Sequence, residues 1–351
     1  LVYVIDQYND VTNGTTASAQ RFAKRLQDRG HEISVLAANT KVPGEPPVET
    51  REIPFFQNMI DEQGFALAKR SEKEVYEKAF EDADLVHFFV PSPFCARGAK
   101  IAEAMDLPRV TAFHVQPKNI TYSLAMGTKE SANSLIYRTL NRHFYKDFHF
   151  IHCPSQMVAD ELRRHGYEGD LRVISNGVDD FYEPIEVEKP ADLADKIVLL
   201  TVGRLSGEKR QDLLIKAAQL SRYKDKIQLI IAGKGPKEKK LRKLSEELIH
   251  EPIFGFHDRD ELRKLYCFCD LYIHPADAET EGISCMEAIA CGAVPIISDS
   301  QYSATGTFAE DERSLFKAGD AVDLAQKIDA WIDQPEELLD DEHLLATGGL
   351  A

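Results

Sequence analysis

The chain has 351 residues, of which 43% are apolar and 28% charged, and a formal net charge of -16. Single cores stop growing at about 250 residues, so two domains are expected. The acidic balance argues against extended nucleic-acid binding, and no apolar run reaches the roughly 20 residues of a bilayer-spanning helix.

The opening LVYVIDQY lacks the basic region, long apolar stretch and cleavage site of a secretory signal, so a cytoplasmic protein is expected. From there, short apolar runs alternate with helical patterns. LVYVID leads to a helix from about Ser18 to Arg29, then come EISVLAA, DLVHFFV, RVTAFHV, HFIHCPS, KIVLLTVG, IQLIIAG, LYIHPA and VPIISD. Runs this continuous in Val, Ile, Leu and Phe suit parallel strands covered on both faces, so the expected class is α/β, doubly wound, twice. The acidic stretch Asp180–Asp195, with Pro184 and Pro190, separates the two series. The expected division is 1–180, a linker at 181–195, a second domain at 196–340 and a tail at 341–351. Ligands of open α/β sheets bind beyond the carboxyl ends of the strands, so two such domains are expected to face a central cleft. The six cysteines show no CxxC pair and no Cys/His ligand spacing, and are expected to be reduced and packed.

The segment HPADAETEGISCMEAIACGAVPIISD carries the strongest chemical signal. A strand ends in an acidic loop, and a helix begins near Ile283 with Met286, Ile289 and Ala290 at core spacing. Gly282, Ile283 and Ser284 then present amide N–H groups at a helix N-terminus, which favours an anion or sugar hydroxyls. Glu279 precedes the helix and Glu287 lies one turn inside it, so both carboxylates can accept from one polyhydroxyl ligand. A lone pair of glutamates is more often a solvated loop acid and a helix-dipole partner. A second segment, LLTVGRLSGEKRQDLLIKAA, changes that weighting, because Arg204 and Lys209 in its strand-to-helix connection suit a diphosphate.

Together these segments resemble the glycosyltransferases of family four. The glutamates separated by seven residues within ETEGISCMEAIACG, the GRLSGEK connection, the NGVD after the first domain and the RGHEISVL at the end of the first helix occur in the family's order. The resemblance implies the GT-B fold, two Rossmann-like domains, and transfer of a hexose with retention from a nucleotide sugar, a UDP-sugar being favoured. It places the diphosphate at Arg204 and Lys209, the transferred sugar at Glu279 and the ribose at Glu287. Amides of Gly282, Ile283 and Ser284 fall at the sugar or diphosphate, Gly14 at the donor phosphate, and His114 at the active-site histidine. It requires no metal, no DxD motif of the metal-dependent kind being recognised, and no cofactor besides the donor substrate. Loops Ala232–Pro236 and Phe254–His257 are placed at the nucleotide base. Two departures stand out. Glu281 occupies a position where an aromatic or apolar residue is usual, and the tail does not resemble the helix that crosses back onto the first domain.

For the acceptor, the stretch 116–150 interleaves Lys118, Arg138, Arg142 and Lys146 with Tyr137, Phe144 and Tyr145. A basic, aromatic-rich helix on an acidic protein reads as an anionic membrane surface, peripheral on the inner face of the plasma membrane; a core-facing amphipathic helix fits the pattern equally. The FHVQPKNITYSL and ISCMEAIACG stretches resemble the diacylglycerol-glucosyltransferase-like branch. Two other readings stay open: the same enzyme class acting on a soluble sugar or polysaccharide precursor, and a non-catalytic nucleotide-binding protein. Binding to anionic liposomes separates the first, and nucleotide titration with Arg204→Ala the second. The oligomeric state is not readable.

Overall fold

A computed structural model describes residues 1–9, 14–40, 42, 44, 47–52, 66–123, 129–309 and 311–334. The chain divides into two compact units, Leu1–Asn176 and Gly177–Ala351. Residues 341–351, with the tail expectation placed on them, lie outside the described residues.

The first unit runs β1 (Val2–Val4), α1 (Gly14–Asp28), β2 (Ser34–Leu36), β3 (Thr50–Arg51), β4 (Leu67–Ala68), α2 (Lys73–Phe80), β5 (Val86–Phe88), α3 (Pro93–Ala104), β6 (Arg109–Ala112), α4 (Pro117–Ser123), α5 (Glu130–His143), β7 (Phe150–Cys153), α6 (Gln156–Arg164) and β8 (Asp170–Val173). Its sheet has the order β2-β1-β5-β6-β7-β8, and every pairing in it is parallel. β3 and β4 form a separate antiparallel pair. Helix starts follow local chemistry. Ser92 caps α3 by accepting from the Cys95 N–H at 3.1 Å, with Pro93 at the first helical position. α1 starts four residues before the expected Ser18, because the β-branched and hydroxyl residues that read as loop find partners. Thr16 donates to the Gln7 carbonyl at 2.9 Å and Ser18 to the Gly14 carbonyl at 2.8 Å.

The second unit runs β9 (Ile197–Val202), α7 (Gln211–Leu220), β10 (Ile227–Ala232), α8 (Glu238–Leu244), β11 (Ile253–Gly255), α9 (Arg259–Phe268), β12 (Leu271–His274), α10 (Ile283–Ala290), β13 (Pro295–Ser298), β14 (Leu315–Phe316) and α11 (Ala321–Asp333). Its sheet, also parallel throughout, has the order β11-β10-β9-β12-β13-β14. Alternate strand residues go to opposite cores. Leu199, Leu229, Ile231 and Ile273 join Trp331 on one face, while Val198, Leu200, Ile230 and Tyr272 join Cys285 and Ala288 on the other. Both faces are covered, as the continuous apolar runs require. Strand order reverses between β9 and β12, so the loops after these strands lie side by side at the sheet's switch point.

All six thiols are free, with Cys95, Cys153, Cys285 and Cys291 buried. Among the described residues, no helix is long and apolar enough to cross a membrane, and no three His, Cys, Asp or Glu are grouped to hold a metal ion.

Candidate active site

The loop after β9 carries Arg204 and Lys209; the loop after β12 carries Glu279. Backbone links hold the second loop in place: the Glu279 N–H donates to the Tyr302 carbonyl at 3.2 Å, and the Ala304 N–H to the Glu279 carbonyl at 3.1 Å. The Lys209 ammonium is hydrogen-bonded to Glu279 Oε1, and His274 Nε2 stands 3.4 Å from the same oxygen. Burial pushes the Glu279 carboxyl up, but the Lys209 ammonium and His274 outweigh it and hold the group at about 2. Glu279 is thus an ionised carboxylate at neutral pH. Arg204 pairs with Glu208 at 2.8 Å, within its own loop.

α10 begins at Ile283, where the sequence placed it. Gly282 precedes it with φ 90, and a β-carbon there would stand 2.1 Å from Thr305 Cγ2, so only glycine fits. The buried side of α10 is Cys285, Met286 and Ala288; Ile289, half-buried, packs against the core that holds Cys285 and Ala288, so Met286 and Ile289 face inward as expected, and Ala290 is half-buried. The Ser284 hydroxyl is anchored inward, accepting from Tyr272 at 3.1 Å and donating to the Val202 carbonyl at 3.2 Å. The side chain is thereby fixed to the end of β9, and first-turn amides of α10 have no intrahelical acceptor. Glu287 accepts from the buried Tyr266 hydroxyl at 3.1 Å. Glu281 is buried, at 3% exposure, so it is no solvated loop acid. Nearby, Lys234 lies 4.7 Å over the Phe256 ring, bringing the loops after β10 and β11 together. Gly233 at their root approaches the Gly203 carbonyl so closely that a β-carbon would stand 2.0 Å from it.

In the first unit, Gly14 is the exposed first residue of α1. His114 lies two residues beyond β6, stacked on Phe89 at 6.0 Å and edge-on to His152 at 5.6 Å. Burial first, then His152 and His87, push its imidazole well below the usual histidine range, so it is neutral at physiological pH. His87 stacks on the other side of the set, 4.2 Å from Phe89. Nε2 of both His87 and His114 is buried without a hydrogen-bond partner among the described residues. His87 and His152 have no signal in the sequence, since parallel pairing alone brings their strands together.

The basic stretch resolves into two faces. Arg138, Arg142 and Lys146 are exposed, as is Leu135. Tyr137, Phe144 and Tyr145 belong to the core. The aromatics therefore form no outward belt: of the two expected readings, the structure shows the core-facing one with a solvated basic outer face. Lys118 is buried as well, at 1% exposure, and burial lowers its ammonium to about 8 despite Glu161 and Glu130.

The sequence model described as Glycosyltransferase Family 4 matches residues 12–180, and that described as Glycosyl transferases group 1 matches residues 184–341. An uncharacterized glycosyltransferase of Methanocaldococcus jannaschii is 31% identical over 312 residues, 82% of this chain and 77% of that protein. The alpha-monoglucosyldiacylglycerol synthase of Streptococcus pneumoniae is 25% identical over 315 residues, 85% of this chain and 70% of that protein. The crystal structure of Anabaena HepE in complex with UDP-glucose matches with a TM-score of 0.70 at 19% identity, over 99% of this chain and 93% of that one. The folds agree, and the architecture is GT-B. With both halves matched in order and the two-unit parallel-sheet architecture in place, the chain belongs to the family-four glycosyltransferases.

Proposed function

We propose that the chain transfers a hexose, glucose or galactose, from a UDP-sugar to a diacylglycerol-type lipid with retention of anomeric configuration. The observation that carries this reading is the Lys209–Glu279 pair at the switch point of the second sheet, beside the N-terminus of α10. Glu279, kept ionised, accepts from hydroxyls of the transferred sugar. Lys209 and Arg204 balance the charge that grows on the diphosphate as the glycosidic bond breaks, a service otherwise supplied by a metal ion. No metal is needed in this scheme. Glu287, oriented by Tyr266, takes the ribose hydroxyls, and amides of Gly282, Ile283 and Ser284 contact the sugar or diphosphate. The family resemblance assigns Gly14, the first residue of α1, to the donor phosphate.

No carboxylate dyad serves as nucleophile and acid here, so the transfer is read as front-face. The departing phosphate takes the acceptor proton as the new bond forms on the face the leaving group vacates. His114, held neutral, offers its imidazole as a hydrogen-bonding group in this step. The lipid acceptor is supported by the exposed Arg138, Arg142 and Lys146, and by the monoglucosyldiacylglycerol in the name of the Streptococcus relative.

The test is a donor screen measuring nucleoside diphosphate release from UDP-glucose, UDP-galactose and GDP-mannose, with and without diacylglycerol vesicles. UDP release that rises with the lipid is expected. Release stimulated only by a soluble sugar transfers the acceptor to that class, and no release from any donor leaves a nucleotide-binding protein without catalysis.

A further inference from the structure

Three consecutive residues tie the loop after β9 to the loop after β12. The Glu208 carbonyl accepts from the Asp277 N–H at 2.8 Å, Lys209 bonds Glu279, and Arg210 Nη1 donates to Asp277 Oδ2 at 2.8 Å. The last of these residues is in an unfavourable backbone state. Arg210 has φ 51 and ψ 34, the left-handed region that glycine occupies freely and side chains crowd. The other non-glycine residues with positive φ among those described are Asn39 and Asp106, types whose short polar side chains tolerate it. Arg210 has no such excuse.

Its side chain is occupied on both sides. Nε donates to Asp212 Oδ1 at 3.1 Å while Nη1 reaches Asp277, and the side chain is only 23% exposed. As the residue preceding α7, it makes no side-chain cap to the helix. The next residue, Gln211, is buried and donates to the Arg204 carbonyl at 3.0 Å, so the turn also fixes the backbone of Arg204. Strain of this kind persists where the surroundings over-determine it, and it concentrates at functional sites.

We infer that Arg210 is a positioning residue for the donor site: its left-handed turn aims Lys209 at Glu279, and its pair with Asp277 keeps the two loops in register. The inference rests on the donor reading of Lys209 and Glu279. When a diphosphate shares the Lys209 ammonium, the Lys209–Glu279 link weakens, and the Arg210–Asp277 and Asp277–Glu208 links keep the loops together.

A merely structural Arg210 and a positioning one predict different results for Arg210→Gly. Glycine relieves the backbone strain while removing the ion pair, so the melting temperature should stay within about 3 °C of wild type. UDP affinity, titrated calorimetrically on the full chain, should fall about tenfold. Asp277→Asn should fall similarly, and the double variant should be no weaker than either single one, since both remove one interaction. Arg210→Lys should recover part of the loss. Should Arg210→Gly not fold, Arg210→Asn, which also accepts the left-handed region, makes the same comparison. A UDP affinity within twofold of wild type in Arg210→Gly, while Lys209→Ala loses binding, overturns the positioning role and leaves the donor reading intact. Wild-type UDP binding by Lys209→Ala, or no binding of UDP or GDP by the wild type, removes the donor reading and the positioning role with it.

Discussion

The two sheets handle titratable groups in opposite ways. At the switch point of the second, charge is kept and paired: Glu279 is held ionised against Lys209, and ion pairs join Arg204 to Glu208 and Arg210 to Asp277. In the first, charge is suppressed: His87, His114 and His152 are stacked among aromatic rings and kept neutral by burial. Pairing preserves groups that can meet an anionic donor, whereas burial preserves uncharged imidazole. Under the proposed function, the paired groups of the second unit meet the diphosphate, and His114 is assigned an uncharged hydrogen-bonding role.

The largest effect that sharpens this contrast is expected at Glu279. Glu279→Gln keeps the shape and removes the charge, so kcat for UDP release should fall about 100- to 1000-fold with the fold intact. Circular dichroism and a turnover assay check it together. His114→Phe should cost about 100-fold in kcat, since the stack on Phe89 survives and only the imidazole is lost. A rate near wild type there would make the histidine stack a packing feature.

Gly282→Ala probes the frame rather than the chemistry. Its β-carbon meets Thr305 at 2.1 Å in a left-handed backbone, so a loss of about 2–3 kcal/mol in urea unfolding is expected. Replacing Arg138, Arg142 and Lys146 with Ser should weaken sedimentation with anionic vesicles about tenfold or more, at roughly 1 kcal/mol per charge near the surface. Undiminished binding would move the lipid contact elsewhere.

The smallest effect separates the units by pH. A histidine lowered in the folded state leaves the unfolded chain binding more protons, so stability contributed by His87 and His114 is lost as pH falls below 6.5. Asp6, raised to about 6 mainly by burial, opposes this with one group against three, since His152 is lowered by burial as well. Glu279 is lowered, so its contribution is intact above 4.5 and is lost only as pH falls from there toward about 2. Between pH 6.5 and 4.5 the first unit should therefore weaken by at least roughly 1 kcal/mol per pH unit while the Lys209–Glu279 pair holds. Hydrogen exchange resolved by segment checks the order.

Much of the second unit was legible because its central strands are continuous apolar runs and its loops carry charge in fixed order after them. Edge strands other than β2, which lies within EISVLAA, were not. β8 reads DLRV and β11 has three residues, too short and too polar to stand out from turns. The start of α10 followed from glycine before an apolar stretch, but the buried identity of Glu281 did not follow from its charge. Arg210 was invisible because left-handed backbone is read from glycine or asparagine, and an arginine there is held by partners distant in sequence. The aromatics of α5 and the turn after it fitted two readings for the converse reason: periodicity places them on a face but does not say whether that face is core or surface.

The most direct measurement is the rate of UDP release from UDP-glucose by Lys209→Ala beside the wild type, with diacylglycerol present. A drop of at least about 100-fold is expected if Lys209 carries diphosphate charge at the switch point. A rate within a factor of about two of wild type, from a folded variant, would contradict the assignment of that loop as the donor site.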